Sequence, residues 1–372
     1  MEVKRMSEKQ VEYFTVQQLD EISDQMDFTF LYSTRSDGKS YAVKARCLMD
    51  AFATIKDGIC YRQLGYMRRY DLDNRDSKIT KYFADMPIQE ITDGKYTEVT
   101  AYRKDIYFGN RVKGKVTREV KIGSGFSIGA AEHDKSLMSP HINNIIFEEV
   151  TALSGQYLYN EPSQFMHALS TICRDRTNVK VYMIGNIISR QCPYFEEWQL
   201  HPERLQAGES NIVTFHDNED DLTTKLIIYH VKPSGSKSRL FFGRTKDNIT
   251  KGEYFTELQK HLKRRPEYYP KYHTVVLEYD SFKYLMEFIY YTDYEFDDDY
   301  AWFIQPKTSP IQKGTRVVTN TLDHGGKLVT DSFRGLTDQE DIAFRYLFDR
   351  TKVFFADNLT GTEFYNIISN FK

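Results

Sequence analysis

The sequence predicts an α/β fold, with a parallel sheet in the first part of the chain and a second strand-rich domain at its end. Three observations carry that reading. An apolar run, Phe28 to Tyr32, leads through a polar loop into a helical pattern. A second apolar run, Ile145 to Phe147, ends in two carboxylates. Beyond about residue 270 the pattern changes to alternating strands.

The chain has 372 residues, enough for two domains and a connector. Charged residues at 28 %, aromatics at 15 % and hydrophobics at 40 % describe a folded, soluble protein and exclude a disordered one. No apolar run approaches the roughly 20 residues that span a membrane. The polar start MEVKRMSEKQ is no signal peptide. Cys47, Cys60, Cys173 and Cys192 lack metal or redox spacing and read as reduced core thiols of a cytoplasmic protein. A net charge of -3 gives no global attraction to nucleic acid, so any such contact comes from local patches.

After the first strand, Ser33-Thr34-Arg35-Ser36-Asp37-Gly38-Lys39-Ser40 follows the phosphate-loop pattern GxxxxGK[ST], except that Ser33 stands at the first Gly. Val43, Cys47, Leu48, Ala51, Phe52 and Ile55 then mark a one-sided helix that Gly58 stops. The backbone N–H groups of such a loop form a nest, and the helix adds the positive end of its dipole. Lys39 then reaches the β- and γ-phosphates of ATP, and the Ser40 hydroxyl binds Mg²⁺. Ser33 poses a question, because the Gly position often needs a backbone conformation that Ser tolerates poorly. Ahead of the loop, Tyr13 to Val16 is an apolar island, placed either near an adenine or simply in the core.

A strand over Gln63 to Met67 ends in Arg68 and Arg69, which a solvated strand end explains as well as a site role does. From Thr97 to Ile128, alternation around Gly109-Asn110 and Gly114 predicts a β-hairpin or small meander inserted into the first domain. Between 101 and 121 it carries seven basic residues against two acidic ones. Lys104, Arg111, Lys113 and Lys115 are its candidates for contact with a DNA backbone. Asn144 to Glu149 reads as a Walker B strand: Glu148, in place of the usual Asp, helps hold the metal, and Glu149 polarises the attacking water. A helix from Pro162 to Cys173 ends in Arg174-Asp175-Arg176, and a strand from Val179 to Gly185 ends in Asn186. The arginines form either a salt-bridged helix end or a finger into a neighbouring subunit's nucleotide. Asn186 is either a turn residue or a sensor beside the γ-phosphate.

STRSDGKSYAVK, GYMRRY, NNIIFEEV, CRDR and IGNIISRQCPYFEEW occur here in the order of small tailed-phage DNA-packaging ATPases, compact relatives of the large terminase subunits. The chain resembles these encapsidation proteins specifically over about residues 27–198 and only in architecture beyond. The resemblance implies an ATP- and Mg²⁺-dependent motor that moves double-stranded DNA into a preformed prohead. It implies a homomeric ring, usually a pentamer, docked on the portal, in the host cytoplasm and away from membranes. It leaves open whether a packaging RNA takes part. Carried onto this chain, it implies Arg35, Lys39, Ser40, Glu148 and Glu149 in the nucleotide site, Asn186 as coupling residue and Arg174 as a finger acting in trans.

Past Trp198 the composition shifts. His201 to Asp221 is polar and acid-tipped, and 231–251 holds six basic residues against one acidic. These read as a connector over 199–269, between a P-loop ATPase domain over 1–198, of the additional-strand, catalytic-glutamate type, and a domain over 270–372. A helix is expected at Glu253 to Leu262, and strands near 274–279, 287–291, 300–304 and 316–318. The resemblance makes this last domain ribonuclease-H-like. Its acidic residues bunch at Asp293, Glu295, Asp297, Asp298 and Asp299 instead of converging from separate strands, so no DNA cutting is expected; the alternatives are a nuclease site built from Glu278, Asp280, Asp323 and His324, or another, helicase-like nucleic-acid translocase.

Overall fold

The computed structural model describes residues 11–130, 140–152, 157–174, 176–186, 192–217, 222–234, 260–261, 269–279, 282–290, 300–311, 316–319, 353–357, 360–361 and 363–364. The chain divides into two compact units, one within residues 1–241 and one within 242–372.

The first unit runs α1 (Val16–Ser23), β1 (Phe28–Ser33), α2 (Lys39–Ala53), β2 (Ile55–Lys56), β3 (Ile59–Cys60), β4 (Gln63–Arg68), α3 (Asp76–Tyr82) and α4 (Ile88–Ile91). It continues with β5 (Glu98–Tyr102), β6 (Asp105–Gly109), β7 (Arg111–Val112), β8 (Lys115–Val116), β9 (Val120–Ser127), β10 (Ile142–Glu148), α5 (Glu161–Cys173), β11 (Lys180–Asn186), α6 (Pro193–Glu197), β12 (Ser210–Asp217) and β13 (Leu222–His230). Nine of these strands form one sheet in the order β12-β13-β1-β11-β10-β4-β9-β6-β5. The six from β13 to β9 are mutually parallel, and β12, β6 and β5 are antiparallel flanks.

The central strands are apolar on both faces because both faces are covered, as parallel sheets require. Alternation divides β1: Leu31 belongs to one core cluster, with Val43, Leu48, Leu64 and Ile184, while Phe30 and Tyr32 belong to the other, with Phe147, Phe165, Met183 and Trp198. α2 therefore covers one face, and α5 with the aromatic α6 region covers the other. Cys47, Cys60 and Cys192 are buried, Cys173 is half-buried, and all are free thiols. Among the described residues no helix is long and apolar enough to cross a membrane.

Two expectations about the first unit are corrected. The helix after the loop stops at Ala53, not at Gly58: the Thr54 hydroxyl donates back to the carbonyls of Asp50 and Ala51. Gly58 (φ +77) instead follows Asp57 in the turn of the β2–β3 hairpin. The expected basic meander is present as β5, β6 and β9, and it extends the sheet, since β9 pairs in parallel with β4 and carries β6 and β5 to the sheet edge. The boundary after Trp198 falls inside the first unit. Leu226, Ile227 and Ile228 of β13 are buried beside β1, and Asp217 pairs with Leu222 across the β12–β13 hairpin. The polar stretch that resembles a linker is an edge strand, where one side of the backbone ladder and most side chains face water.

The second unit contains β14 (Lys260–His261), β15 (Tyr269–Tyr279), β16 (Phe282–Tyr290), β17 (Tyr300–Pro306), β18 (Arg316–Thr319) and β19 (Val353–Phe355), in the sheet order β14-β19-β17-β16-β15-β18. β15, β16 and β17 form an antiparallel meander, with β18 parallel to β15 and β19 parallel to β17. Val275, Leu277, Met286, Trp302, Ile304 and Phe355 form its core with Phe364. Lys260 and His261 lie in a strand where a helix end was expected. The acidic cluster from Asp293 to Asp299 lies outside the described residues.

Candidate functional site

β1, β10 and β11 are adjacent and parallel, so their C-terminal ends open onto one edge of the sheet, where open α/β sheets place their ligands. A cavity of about 760 Å³ lies there. The 35–41 stretch lines it on one side, Glu148, Glu149, Ile184 and Asn186 on another, and Tyr13, Phe14, Thr15 and Val16 on a third. The apolar island ahead of β1 is thus a wall of the cavity. Its Thr15 caps α1, accepting from the Gln18 N–H while Gln18 accepts from the Thr15 N–H.

The loop resolves the question posed by Ser33. Ser33 is the last residue of β1, paired with Asn186, and the left-handed positions are Ser36 (φ +65) and Gly38 (φ +94). A Cβ on Gly38 would lie 2.9 Å from the backbone N and O of Phe14, so the close passage of that segment also demands glycine. The Ser33 hydroxyl donates to Asp37 Oδ2 (2.8 Å), as does the Thr34 hydroxyl (2.7 Å). Asp37 Oδ1 accepts from the Ser234 N–H (2.9 Å), and the Ser234 hydroxyl donates to the Ser36 carbonyl (3.1 Å). Asp37, 3 % exposed, therefore ties the start of the loop to the segment that follows β13.

Lys39, 4 % exposed, donates to Ser33 Oγ (2.7 Å), to the Thr34 carbonyl (2.6 Å) and, at 3.4 Å, to Asn186 Oδ1. Burial pushes its pKa down to about 8, against the opposing pull of Asp37 and Glu148, with Arg35 adding to the fall. A buried ammonium gathered on neutral oxygens favours an incoming anion. Arg35 is exposed and Ser40 half-buried in the first turn of α2.

The two carboxylates of β10 differ. Glu148 is 8 % exposed and accepts from the Tyr82 hydroxyl through Oε1 (2.6 Å). Glu149 has φ +58, and its side chain is 60 % exposed and paired with Arg68 (Nη2 to Oε2, 2.6 Å). Arg69 holds that left-handed turn. Its guanidinium donates to the carbonyls of Glu149 (3.1 Å) and Val150 (2.8 Å) and to Glu161 Oε2 (2.7 Å). Glu161 is fully buried and also accepts from the Tyr194 hydroxyl. Beyond the turn, the Thr151 hydroxyl accepts from the Asn186 N–H (2.8 Å) and donates to the Asn186 carbonyl (2.9 Å). Gly185 permits this: a Cβ there would meet the Phe30 ring at 2.9 Å and Thr151 at 3.2 Å.

Lys39, Ser40, Glu148, Glu149 and Asn186 are thus brought together, as the sequence predicts. Arg174 is not. It is exposed at the end of α5, before β11 begins, whereas Asn186 closes β11 at the cavity. β11 itself spans about 20 Å, six strand steps of about 3.3 Å, and Arg174 precedes the end of it that lies away from the cavity. Arg176 marks that end, donating to the carbonyls of Pro140 (2.9 Å) and Ile142 (2.5 Å). The basic meander divides likewise. Lys104 pairs with Asp71 (2.5 Å) and Arg111 with Glu98 (2.7 Å), while Lys113 and Lys115 are exposed at the β7–β8 turn. Tyr82, Thr151 and Glu161 escaped the sequence reading, which left Arg68 and Arg69 open between a site role and a solvated strand end. Only the GYMRRY pair carried a signal, and nothing in sequence separates it from solvated charge.

A sequence profile described as podovirus DNA encapsidation protein (Gp16) matches residues 9–222, more than half of the chain and all of the cavity's lining. The chain belongs to that family. The protein named DNA packaging protein in Bacillus phage phi29 is 26 % identical over 229 residues, 60 % of this chain and 59 % of that protein. The protein of the same name in Bacillus phage B103 is 28 % identical over 196 residues, 51 % of this chain and 54 % of that protein. These matches span less than two thirds of the relatives' length. A chain of the bacteriophage phi-29 viral genome packaging motor assembly superposes with a TM-score of 0.53 at 19 % identity, covering 97 % of this chain and 99 % of that one, a likeness of fold.

Proposed function

We propose that the chain is the ATP-hydrolysing motor that packages double-stranded DNA into a phage prohead, acting as a homomeric ring, pentameric by family resemblance, on the portal in the host cytoplasm. The observation that carries this is the meeting of Lys39, Ser40, Glu148, Glu149 and Asn186 in one cavity of an encapsidation-family chain. β11 lies between the loop strand β1 and the carboxylate strand β10, which supports an additional-strand P-loop domain.

The residues fit ATP with Mg²⁺. The Ser40 hydroxyl and the Glu148 carboxylate are hard oxygen donors of the kind Mg²⁺ selects, and Tyr13, Phe14 and Ile184 offer apolar surface for a base. When bound, the ion neutralises charge on the phosphate oxygens. The 33–40 backbone and the N-terminus of α2 cradle the phosphates, and Lys39 exchanges its neutral acceptors for phosphate. Glu149 orients and deprotonates the attacking water, after Arg68 releases it. Asn186, tied through Thr151 to the Glu149 turn and through Lys39 to the loop, reports loss of the γ-phosphate. Arg174 serves a neighbouring subunit, a role compatible with its distance from its own cavity. Lys113 and Lys115, with Lys104 and Arg111 beside them, contact the DNA backbone. The meander β15–β17 with β18 parallel to β15 supports a ribonuclease-H-like second unit; β19 beside β17 is not part of that pattern.

The test is DNA packaging by purified protein with proheads and ATP. ATP-dependent protection of genomic DNA from nuclease is expected, with turnover stimulated by DNA and proheads. Turnover indifferent to both would remove the motor reading. Mixed rings of Arg174→Ala and Glu149→Gln subunits are expected to regain turnover that neither variant has alone, because an arginine finger is worth about 10³–10⁵ in rate. No recovery in verified mixed rings would leave Arg174 a structural role.

A further inference from the structure

We infer that Tyr82 is a positioning residue for the metal-side carboxylate, and that its hydroxyl is what suits this site to a glutamate at 148. The inference rests on the nucleotide-site reading above. The Glu148 backbone is fixed, paired with Ile184 at the end of β10. The remaining freedom lies in a side chain one methylene longer than aspartate, with one more torsion to hold. The Tyr82 hydroxyl, 2.6 Å from Oε1, supplies the missing restraint and leaves Oε2 for the cavity that Glu148 lines.

Tyr82 is itself held at three points. Its carbonyl accepts from the buried Lys44 ammonium (2.9 Å), which also pairs with Asp85 and lies 4.8 Å from the centre of the Tyr82 ring. The ring packs on Tyr66 and Phe83, with centroids 4.5 and 4.9 Å away. A side chain fixed at backbone, ring and hydroxyl determines where its hydrogen-bond partner sits. The neighbouring Tyr66 hydroxyl faces Arg68 instead (3.4 Å), which makes it a matched control from the same aromatic stack.

The experiment titrates Mg²⁺ into the full chain with a fluorescent ADP analogue and reads equilibrium binding, not turnover. For Tyr82→Phe, nucleotide affinity without metal should equal wild type. The Mg²⁺ half-saturation should rise about 10- to 100-fold, the scale on which partners of metal ligands act. Tyr66→Phe should shift neither. An unchanged half-saturation in Tyr82→Phe, alongside a raised one in Glu148→Gln, overturns the inference and spares the site reading. An unchanged value in Glu148→Gln overturns both. Glu148→Asp draws the carboxylate back from the hydroxyl and should itself raise the half-saturation. A value at or below wild type overturns the inference even where Tyr82→Phe yields no folded protein.

Discussion

In the proposed motor two regions of the chain offer lysine to phosphate, and they do so in opposite ways. Lys39 is buried under a loop whose every turn is tied down, by Asp37, Gly38 and Ser234. Lys113 and Lys115 stand exposed on a hairpin turn, with Lys113 at φ +50 and Gly114 at φ +77, and among the described residues neither is in an ion pair. Between these extremes, Lys104 is half-buried and Arg111 exposed, and they are already paired with Asp71 and Glu98. A buried ammonium on fixed acceptors selects one phosphate geometry and pays for it in desolvation. Exposed ammoniums contact any phosphodiester, with a strength set by salt.

The comparison breaks most sharply at hydrolysis. Glu149→Gln should keep ATP binding and lower turnover by about 10²–10⁴, the range of a general base. Lys39→Ala should lose turnover and also about 2–5 kcal/mol of nucleotide binding, as truncation of a buried charged partner does. Equilibrium binding and single-turnover hydrolysis separate the two. A Glu149→Gln protein hydrolysing at the wild-type rate would end the assignment of its carboxylate.

A smaller effect is expected from Gly38→Ala. Its φ of +94 and the 2.9 Å approach of Phe14 predict a loss of about 1–3 kcal/mol in stability, measurable by denaturant unfolding. Gly114→Ala, at φ +77 with open space around it, should cost less. Equal losses at the two glycines would mean that the loop is not more constrained than the hairpin.

The Lys39 pKa of about 8 predicts a pH effect confined to the buried lysine. Phosphate charge raises that pKa, so binding above pH 8 takes up a proton. Nucleotide affinity should fall as pH rises past 8, by up to about tenfold per unit, and Lys39→Met should abolish the trend. The stability sign is opposite. Between pH 8 and 10.5 the unfolded lysine holds more proton than the folded one, so the penalty for burying Lys39 shrinks as pH rises and the empty protein gains stability. A nucleotide affinity flat from pH 7 to 9.5 would contradict this.

The mildest effect belongs to the exposed side. Replacing Lys113 and Lys115 by Gln should weaken DNA binding equally for all sequences and lower the salt slope by about 0.9 per lost phosphate contact. Adding Lys104→Gln should change the slope less, because Asp71 already neutralises it. An unchanged slope would reassign the turn to a merely solvated role.

Much of this was legible in sequence because the signals are local. A near-continuous apolar run, FTFLYS, suffices for a strand covered on both faces, and Gly38-Lys39-Ser40 after it marks a helix start. Glu148-Glu149 at the end of Ile145-Ile146-Phe147 named the strand that faces it. Other features depended on neighbours distant along the chain. Ser33 is suitable because β11 pairs with it and Asp37 accepts its hydroxyl, so the strained backbone position moved to Ser36 and Gly38. Glu148 and Glu149, adjacent in sequence, parted: β10 ends between them, and the left-handed turn sends one toward Tyr82 and the other toward Arg68. β12 and β13 read as a linker because an edge strand carries polar residues wherever it meets water, and only the open edge of β1 decided that they complete the sheet. Sequence determines periodicity and local turns. Which oxygen a buried tyrosine or arginine faces is decided by pairings 66 to 92 residues apart, since burial leaves each polar group only the partners that folding brings within reach.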